Sequence, residues 1–335
     1  MHGVASRPAH GSLHRRSGAA TPCPARLTAV RVVFAGTPEI ALSALDAIAG
    51  SRHELLAVLT RPAAPQGRSK RLVSSPVARW ASEHQVEILR PGRPSDPEFV
   101  ERLTQLAPDC CPVVAYGALI PPAVLAIPRF GWVNVHFSLL PAWRGAAPVQ
   151  RAILAGDTET GISIFELVPA LDAGPVYVRE PSPLGADETS GDVLVRLAAR
   201  GAEALVGVLD GIEAGTLTPA VQPDSGVSLA PKLRVLEARL DWSLPALDLD
   251  RTVRACNPSP VAWTTFRGER LKIWLAKARA GTVLPPGVLA VDRRGINVGT
   301  GRGVLELLQV QPAGKRPMPA ADWGRGLGAD PGALE

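Results

Sequence analysis

The stretch that decides the fold is Val30-Arg31-Val32-Val33-Phe34-Ala35-Gly36. A run of β-branched and apolar residues that ends at a glycine is typical of a buried strand. Thr37 and Pro38 then predict the cap and first turn of a helix that continues to residue 48. A second apolar strand is predicted over 55–59. Together they form a βαβ unit, which implies a parallel sheet covered by helices on both faces. The first turn lacks G-x-G-x-x-G, so nothing supports NAD binding.

The rest of the chain predicts a second domain. We expect a Rossmann-like, mostly parallel α/β sheet over 30–213 and a linker rich in Gly, Thr, Ser and Pro over 214–231. Short strands at close intervals then predict an OB-like β-barrel over 232–320, followed by a tail over 321–335. Residues 1–29 have no hydrophobic periodicity, and we expect a disordered, dispensable extension. Its Arg-rich, acid-free composition is open to two explanations, a transit peptide or, favoured here, a start codon assigned too far upstream. No run approaches the roughly 18 apolar residues of a spanning helix, so we expect no membrane partner.

Charge is divided unevenly along the chain. Residues 31–230 contain 16 basic and 21 acidic residues, whereas 231–316 contain 15 basic and 7 acidic residues. This split favours a polyanion that touches the C-terminal region, and ordinary solvated surface charge carries about equal weight. The four cysteines have no CxxC spacing, and three of the six histidines fall before residue 15. We therefore predict no metal site and a reducing compartment.

A long basic segment follows the second strand. Residues 61–75 contain two prolines, a glycine and four cations, and no acid occurs between Glu54 and Glu83. Long loops inside compact domains are usually functional or disordered. The segment predicts an arm that meets phosphates, and the alternative is a solvated loop. The cations concerned are Arg61, Arg68, Lys70 and Arg71.

Candidate catalytic residues gather around the strand predicted over 132–136. Asn134 and His136 lie two residues apart and so point to the same face of that strand. The amide can donate to an oxyanion and the imidazole can exchange a proton near neutral pH. Asp172, if it folds back onto His136, would fix the tautomer and hold the protonated ring. Each residue alone has an ordinary structural explanation, but together they favour addition of an amine to a carbonyl without a Ser or Cys nucleophile.

These residues belong to segments that resemble the folate-dependent formyltransferases. The segments are Asn134-Val135-His136 with Ser138-Leu139-Leu140-Pro141, then 143–148, and Leu171-Asp172-Ala173-Gly174. Segments 34–38, 75–77, 238–242 and 308–315 further resemble the members that act on charged tRNA, and the likeness runs from about residue 30 to 320. Phe137 departs from the family, in which many relatives carry Gly or Pro. We expect its side chain to point away from Asn134 and His136.

The resemblance implies transfer of formyl from 10-formyltetrahydrofolate to the α-amino group of methionine on initiator tRNA, through a tetrahedral intermediate. Asn134 would stabilise the oxyanion, His136 would move protons, and Asp172 would orient His136 and help deprotonate the amine. The folate site would be lined by Ser138, Leu139, Leu140 and Pro141, with Ala115, Tyr116 and Gly117 near the pterin. The loop Arg61–Arg71 would insert at the acceptor stem, and the barrel would hold the rest of the tRNA.

By the same resemblance we expect a monomer in the bacterial cytoplasm, with a mitochondrial location disfavoured. Three rival functions stay open at this point. The first is a formyltransferase acting on a small amine, the second is a formyltetrahydrofolate hydrolase, and the third is a catalytically dead tRNA-binding module.

Overall fold

The computed structural model describes residues 2–3, 29–66, 71–281, 283–292, 295–328 and 331–335. Residues 1 and 4–28, on which the prediction of a disordered extension falls, lie outside this set. Arg68 and Lys70 of the basic segment lie outside it as well.

The N-terminal part is a seven-stranded sheet flanked by helices. Over its described residues this part has nine strands, of which β3 and β4 pair separately from the sheet. The strands are β1 Arg31–Gly36, β2 Glu54–Leu59, β3 Ala64–Gln66, β4 Arg71–Val73, β5 Glu87–Leu89, β6 Cys111–Val114, β7 Trp132–His136, β8 Glu159–Glu166 and β9 Val176–Pro183. Its helices are α1 Leu42–Ala49, α2 Pro76–Glu83, α3 Pro97–Leu106, α4 Pro122–Leu125, α5 Pro148–Ala155 and α6 Ser190–Glu213. The spatial order is β5-β2-β1-β6-β7-β8-β9. The first five strands run parallel, and β8 and β9 are antiparallel, so the predicted mostly parallel sheet is confirmed.

Alternate side chains of β1 face two different cores. Val32 and Phe34 pack with α1 and α6 on one side of the sheet, while Val33 and Ala35 pack with α3 on the other. The long helix α6 begins with a capping box in which Thr189 and Asp192 satisfy each other's backbone N–H groups. A sheet buried on both faces explains why its central strands are continuous apolar runs.

The prediction that Thr37 caps the first helix is wrong. That helix is entered through a 3-10 turn at Glu39–Ala41, preceded by Pro38 with no side-chain cap. The Thr37 hydroxyl instead donates to the Tyr116 carbonyl oxygen at 2.8 Å. It therefore ties together the segments that leave β1 and β6, at the carboxyl edge of the sheet.

The C-terminal part is a six-stranded antiparallel sheet with two helices, as the predicted barrel requires. Its elements are α7 Ala246–Ala255, β10 Ala262–Phe266, β11 Glu269–Arg279, β12 Leu289–Val291, β13 Ile296–Gly299, β14 Val304–Gln311, β15 Met318–Pro319 and α8 Ala320–Gly324. The main path is β10-β11-β14-β13-β12, with β15 added to β14.

The last residues belong to this barrel, which corrects their assignment to a separate tail. Glu335 exchanges backbone hydrogen bonds with Thr265 of β10, and the Leu334 N–H donates to the Gly287 carbonyl oxygen beside β12. The segment thus bridges the two edge strands and closes the sheet. Leu327 and Leu334 are buried in the barrel core, which gives the hydrophobic reason for this placement.

Candidate active site

Strand β7 brings Asn134 and His136 to the carboxyl edge of the parallel strands. Asn134 pairs with Val113 of β6 and Phe165 of β8, so it sits in mid-sheet. Phe137 packs with Val133 and Val135 in the core on the opposite face, as predicted. Ligands of parallel α/β sheets bind at this edge of the strands.

The His136 ring is buried, and its hydrogen bonds define its tautomer. Its Nε2 lies 2.8 Å from the Trp143 carbonyl oxygen. Because a carbonyl oxygen only accepts, Nε2 carries the hydrogen, and in the neutral ring Nδ1 presents a lone pair. Nδ1 faces Asp172 Oδ2 at 3.7 Å, which is beyond hydrogen-bond distance. Trp143, and not Asp172, therefore fixes the tautomer, which corrects the prediction.

The surroundings of His136 keep it neutral near pH 7. Burial lowers its pKa below the ordinary 6.5, while the Asp172 carboxylate and the Trp143 carbonyl raise it in part. A neutral imidazole with a free Nδ1 lone pair is a proton acceptor. The nearby carboxylate stabilises the ring once it is protonated.

Asp172 is held by a turn of unusual backbone geometry. Its φ is 45°, in the left-handed region that residues with a side chain seldom adopt. Its Oδ2 accepts the Gly145 N–H at 2.7 Å. Trp143 is also left-handed, with φ 63°. Such strain is common where a backbone is held in place for function.

The Asn134 side chain is half-buried. Among the residues that the structure describes, none forms a hydrogen bond with its amide. Its N–H₂ group is therefore free to donate to a bound molecule. That is the requirement for an oxyanion donor.

The turn after β7 is held by its own hydrogen bonds and packing, which involve some of the residues predicted to contact folate. The Ser138 hydroxyl donates to the Ala142 carbonyl oxygen at 2.6 Å, and Leu140 lies in the core with Phe165. Both side chains are fully buried, so in this structure they support the turn. Leu139 and Pro141 are partly exposed. They stay candidates for apolar contacts.

The segment after β6 exposes backbone beside this turn. Ala115 and Gly117 are exposed and have φ values of 49° and 85°. Tyr116 between them is only 2% exposed, and its hydroxyl has no hydrogen-bond partner within the described chain. Burial raises the pKa of this phenol, although Arg61 lies close enough to lower it in part.

The described parts of the basic segment lie at the same edge, where β3 and β4 pair as antiparallel strands. Arg61 precedes β3, and its N–H donates to the Thr37 hydroxyl and its guanidinium to the Gly92 carbonyl oxygen. Arg71 opens β4 and is exposed. The structure thus places Arg61 next to Tyr116 and Arg71 on β4.

Sequence reasoning missed the contribution of the linker, residues 214–231. Gln222 and Ser228 bond to the loops that carry Asp172 and Trp143. Their stretch has no hydrophobic periodicity, so nothing in its pattern indicated a role.

The barrel carries a groove of about 430 Å³ between β11 and the turn after β14. It is lined by Arg270, Lys272, Gln311, Pro312, Ala313, Gly314 and Lys315. None of these residues is acidic, and in the described chain none of the three cations pairs with a carboxylate. The Arg270 guanidinium also lies 4.1 Å from the ring centre of Trp263. Unneutralised cations beside an aromatic ring suit a nucleic-acid backbone.

Two further properties concern the described residues as a whole. No group of three or more His, Cys, Asp or Glu side chains there could hold a metal ion. No helix there has both the length and the apolar character needed to cross a membrane.

The family of the chain follows from comparison with known proteins. The family model "Formyl transferase" matches residues 30–209, and "Formyl transferase, C-terminal domain" matches residues 232–328. The chain belongs to the formyl transferase family.

Relatives within that family are more specific. The methionyl-tRNA formyltransferase of Streptomyces coelicolor is 57% identical over 299 residues, covering 89% of this chain and 96% of that protein. The methionyl-tRNA formyltransferase of Salinispora tropica is 56% identical over 299 residues, covering 89% and 97%.

Solved structures share the fold at low identity. HypX from Aquifex aeolicus in complex with tetrahydrofolic acid aligns with a TM-score of 0.62 at 17% identity, over 90% of this chain and 47% of that one. The sugar 3N-formyl transferase WlaRD aligns with a TM-score of 0.62 at 15% identity, over 86% and 99%.

Proposed function

We propose that this enzyme transfers the formyl group of 10-formyltetrahydrofolate to the α-amino group of methionine on initiator tRNA, which supplies formyl-Met-tRNA for translation initiation. The observation that carries the proposal is identity of 55–57% with methionyl-tRNA formyltransferases across both domains. The polar trio at the sheet edge and the cationic groove of the barrel support it.

The catalytic roles follow from which atoms are free. When bound, 10-formyltetrahydrofolate supplies a carbonyl carbon that an amine can attack. Asn134 donates its free N–H₂ to the oxygen that becomes negative in that addition. His136 takes the proton from the amine at Nδ1, because Nε2 is committed to Trp143. It returns that proton to the folate nitrogen as the bond between this nitrogen and the formyl carbon breaks.

Asp172 acts on His136 by its charge. The gap of 3.7 Å closes to a charge-assisted hydrogen bond with a shift of less than about 1 Å once Nδ1 is protonated. The carboxylate therefore stabilises the imidazolium and gives the transferred proton a place to reside.

The residues beside the trio fit a folate in chemical type. Exposed backbone at Ala115 and Gly117 offers hydrogen bonds to a pterin, and the partly exposed Leu139 and Pro141 offer apolar contact. Ser138 and Leu140 contribute by holding the turn.

The tRNA contacts we propose are of two kinds. Arg61 and Arg71, with Arg68 and Lys70, would meet the acceptor end beside the catalytic centre. The groove cations Arg270, Lys272 and Lys315 would meet phosphates further along the tRNA. A small amine substrate would need neither set. We propose further that the enzyme works as a monomer in the bacterial cytoplasm.

One assay tests this proposal. Purified protein is given 10-formyltetrahydrofolate with methionyl initiator tRNA, and in parallel with uncharged initiator tRNA, methionyl elongator tRNA and a set of amino sugars and aminoribonucleotides. We expect formylation of the charged initiator tRNA at the highest kcat/KM. A higher kcat/KM for a small amine, or release of formate without any acceptor, would overturn the assignment.

A further inference from the structure

We propose that Gln222 is a positioning residue for the catalytic centre, through which the linker sets the place of the Asp172 turn. This inference rests on the proposed function, because it assumes that Asp172 and His136 act together. It assigns a role to the segment that connects the two domains.

The linker pairs with the loops on both sides of the catalytic centre. On one side, the Arg144 N–H donates to the Ser228 carbonyl oxygen, and the Ala230 N–H donates to the Arg144 carbonyl oxygen. On the other side, Val176 and Ala220 exchange backbone hydrogen bonds of 2.7 and 2.8 Å. A Cβ on Gly145 would lie 2.6 Å from the Ala230 carbonyl oxygen, so this approach requires glycine.

Gln222 lies between these two lines of contact and is 6% exposed. Its Oε1 accepts from Nε and Nη2 of Arg144, at 3.1 and 2.7 Å. Its Nε2 donates to the carbonyl oxygens of Asp172 and Gly174, both at 2.8 Å. A guanidinium only donates and a carbonyl only accepts, so the orientation of the amide is unambiguous. All four of its hydrogen-bonding positions are used.

These bonds hold a turn that has a strained conformation. Asp172 has a φ of 45°. The two carbonyl oxygens that Gln222 binds belong to Asp172 and Gly174, the residues on either side of Ala173 in this turn. The Asp172 carboxylate is held separately by the Gly145 N–H. Removing Gln222 takes away the donors that fix the backbone of this turn. Oδ2 then keeps only its bond to the Gly145 N–H, and we expect its distance to His136 Nδ1 to lengthen.

Ser228 connects the linker to Trp143, the other residue that faces the His136 ring. Its hydroxyl accepts the Trp143 N–H at 2.8 Å, and the Trp143 carbonyl accepts from His136 Nε2. The linker therefore reaches both groups that surround the imidazole. Ser228 follows Trp143 by 85 residues and Gln222 follows Asp172 by 50 residues in the sequence. Both linker residues nevertheless bond to groups that surround the His136 ring.

The test compares two substitutions with a control in the same segment. Gln222→Leu removes all four hydrogen bonds at similar volume. Gln222→Glu preserves shape and the contact with Arg144 but turns a carboxylate oxygen towards two carbonyls. Val221→Ala is the control, because Val221 is 86% exposed and precedes Gln222 directly. We expect both Gln222 variants to lower kcat about 10- to 100-fold with KM for both substrates within about twofold, and Val221→Ala to match the unaltered enzyme.

A second readout does not depend on turnover. The titration of the His136 ring, followed by NMR, should move to lower pH in Gln222→Leu, since a carboxylate that withdraws no longer favours the imidazolium. Near-normal kcat in Gln222→Glu would show that the two hydrogen bonds donated to the Asp172 and Gly174 carbonyl oxygens are not needed, and would overturn the proposal. An unmoved His136 titration in Gln222→Leu would overturn it too, as would failure of both variants to fold. If the unaltered enzyme formylates no amine, the proposed function fails, while the titration still reports on Gln222.

Discussion

At the proposed catalytic centre His136 and Asp172 are held by hydrogen bonds to backbone groups, whereas in the barrel groove no described carboxylate pairs with the cations. His136 has one ring nitrogen on the Trp143 carbonyl and the other facing Asp172. In the groove, the Arg270 guanidinium lies over the Trp263 ring, and Arg270 and Lys272 face the turn at 311–315. Elsewhere on the same strand β11, Arg279 is paired with Glu306 at 2.6 Å.

This difference separates two ways of using charge. A buried centre depends on distances of a few tenths of an ångström, so removing one atom pair has a large effect that salt does not relieve. A groove of cations that no carboxylate neutralises depends on summed charge, so each cation has a small effect that salt screens. The first region should govern kcat and the second should govern tRNA affinity.

Replacing His136 should have the largest effect. His136→Gln keeps a donor for the Trp143 carbonyl but removes the proton acceptor at Nδ1. We expect kcat to fall about 10²- to 10⁴-fold, as for loss of a general base, with little change in KM for tRNA. The matched control is His53→Gln: His53 is a buried histidine remote from the centre, whose Nδ1 accepts the Val30 N–H. Its kcat should be unchanged.

The pH dependence sharpens the same prediction. Activity requires neutral His136, so it should rise with pH through the pKa of this group. Burial places that pKa below 6.5, and the Asp172 carboxylate raises it. Asp172→Asn should therefore move the acid limb of kcat/KM to lower pH as well as lowering the rate. A limb that stays in place would mean that Asp172 does not act on His136.

Asn134 should come next in effect. Asn134→Ala removes the free donor, and we expect kcat to fall about 10²- to 10³-fold. Asn134→Asp has the same shape but puts negative charge against the developing oxyanion, so it should be at least as slow as alanine. Asn297 is also a half-buried asparagine within a strand, in the barrel, and Asn297→Ala should leave kcat unchanged. An aspartate variant faster than the alanine variant would contradict the oxyanion role.

Parts of the fold and of the candidate site were predictable because the hydrophobic pattern of the sequence indicated them. Strand β7 was predicted to its ends, since its apolar and β-branched run is bounded by turn residues. Strand β9 was not, because its charges and prolines break that pattern. It lies at the sheet edge, where proline is tolerated.

The proximity of the side chains that we propose as catalytic was predictable to a similar degree. Asn134 and His136 were found because they share one strand face. Gln222 was not found, because it bonds to backbone carbonyls 48 to 50 residues away. Every residue has a backbone carbonyl, so the sequence does not indicate which ones a side chain will bond.

The groove should show the smallest effect, and one that salt alters. Replacing Arg270, Lys272 and Lys315 together by Gln should leave kcat unchanged and lower kcat/KM for charged tRNA about tenfold at low salt. The slope of log affinity against log salt should fall by about two to three, roughly one for each phosphate that is no longer neutralised. Arg279→Gln removes a cation from the same strand that Glu306 already neutralises, so its slope should match the unaltered enzyme. Because the triple variant spares the buried centre, a fall in kcat would show that the two regions are coupled. An unchanged salt slope would mean that these cations meet solvent alone, and tRNA affinity would then depend on strand β4, which carries Arg71.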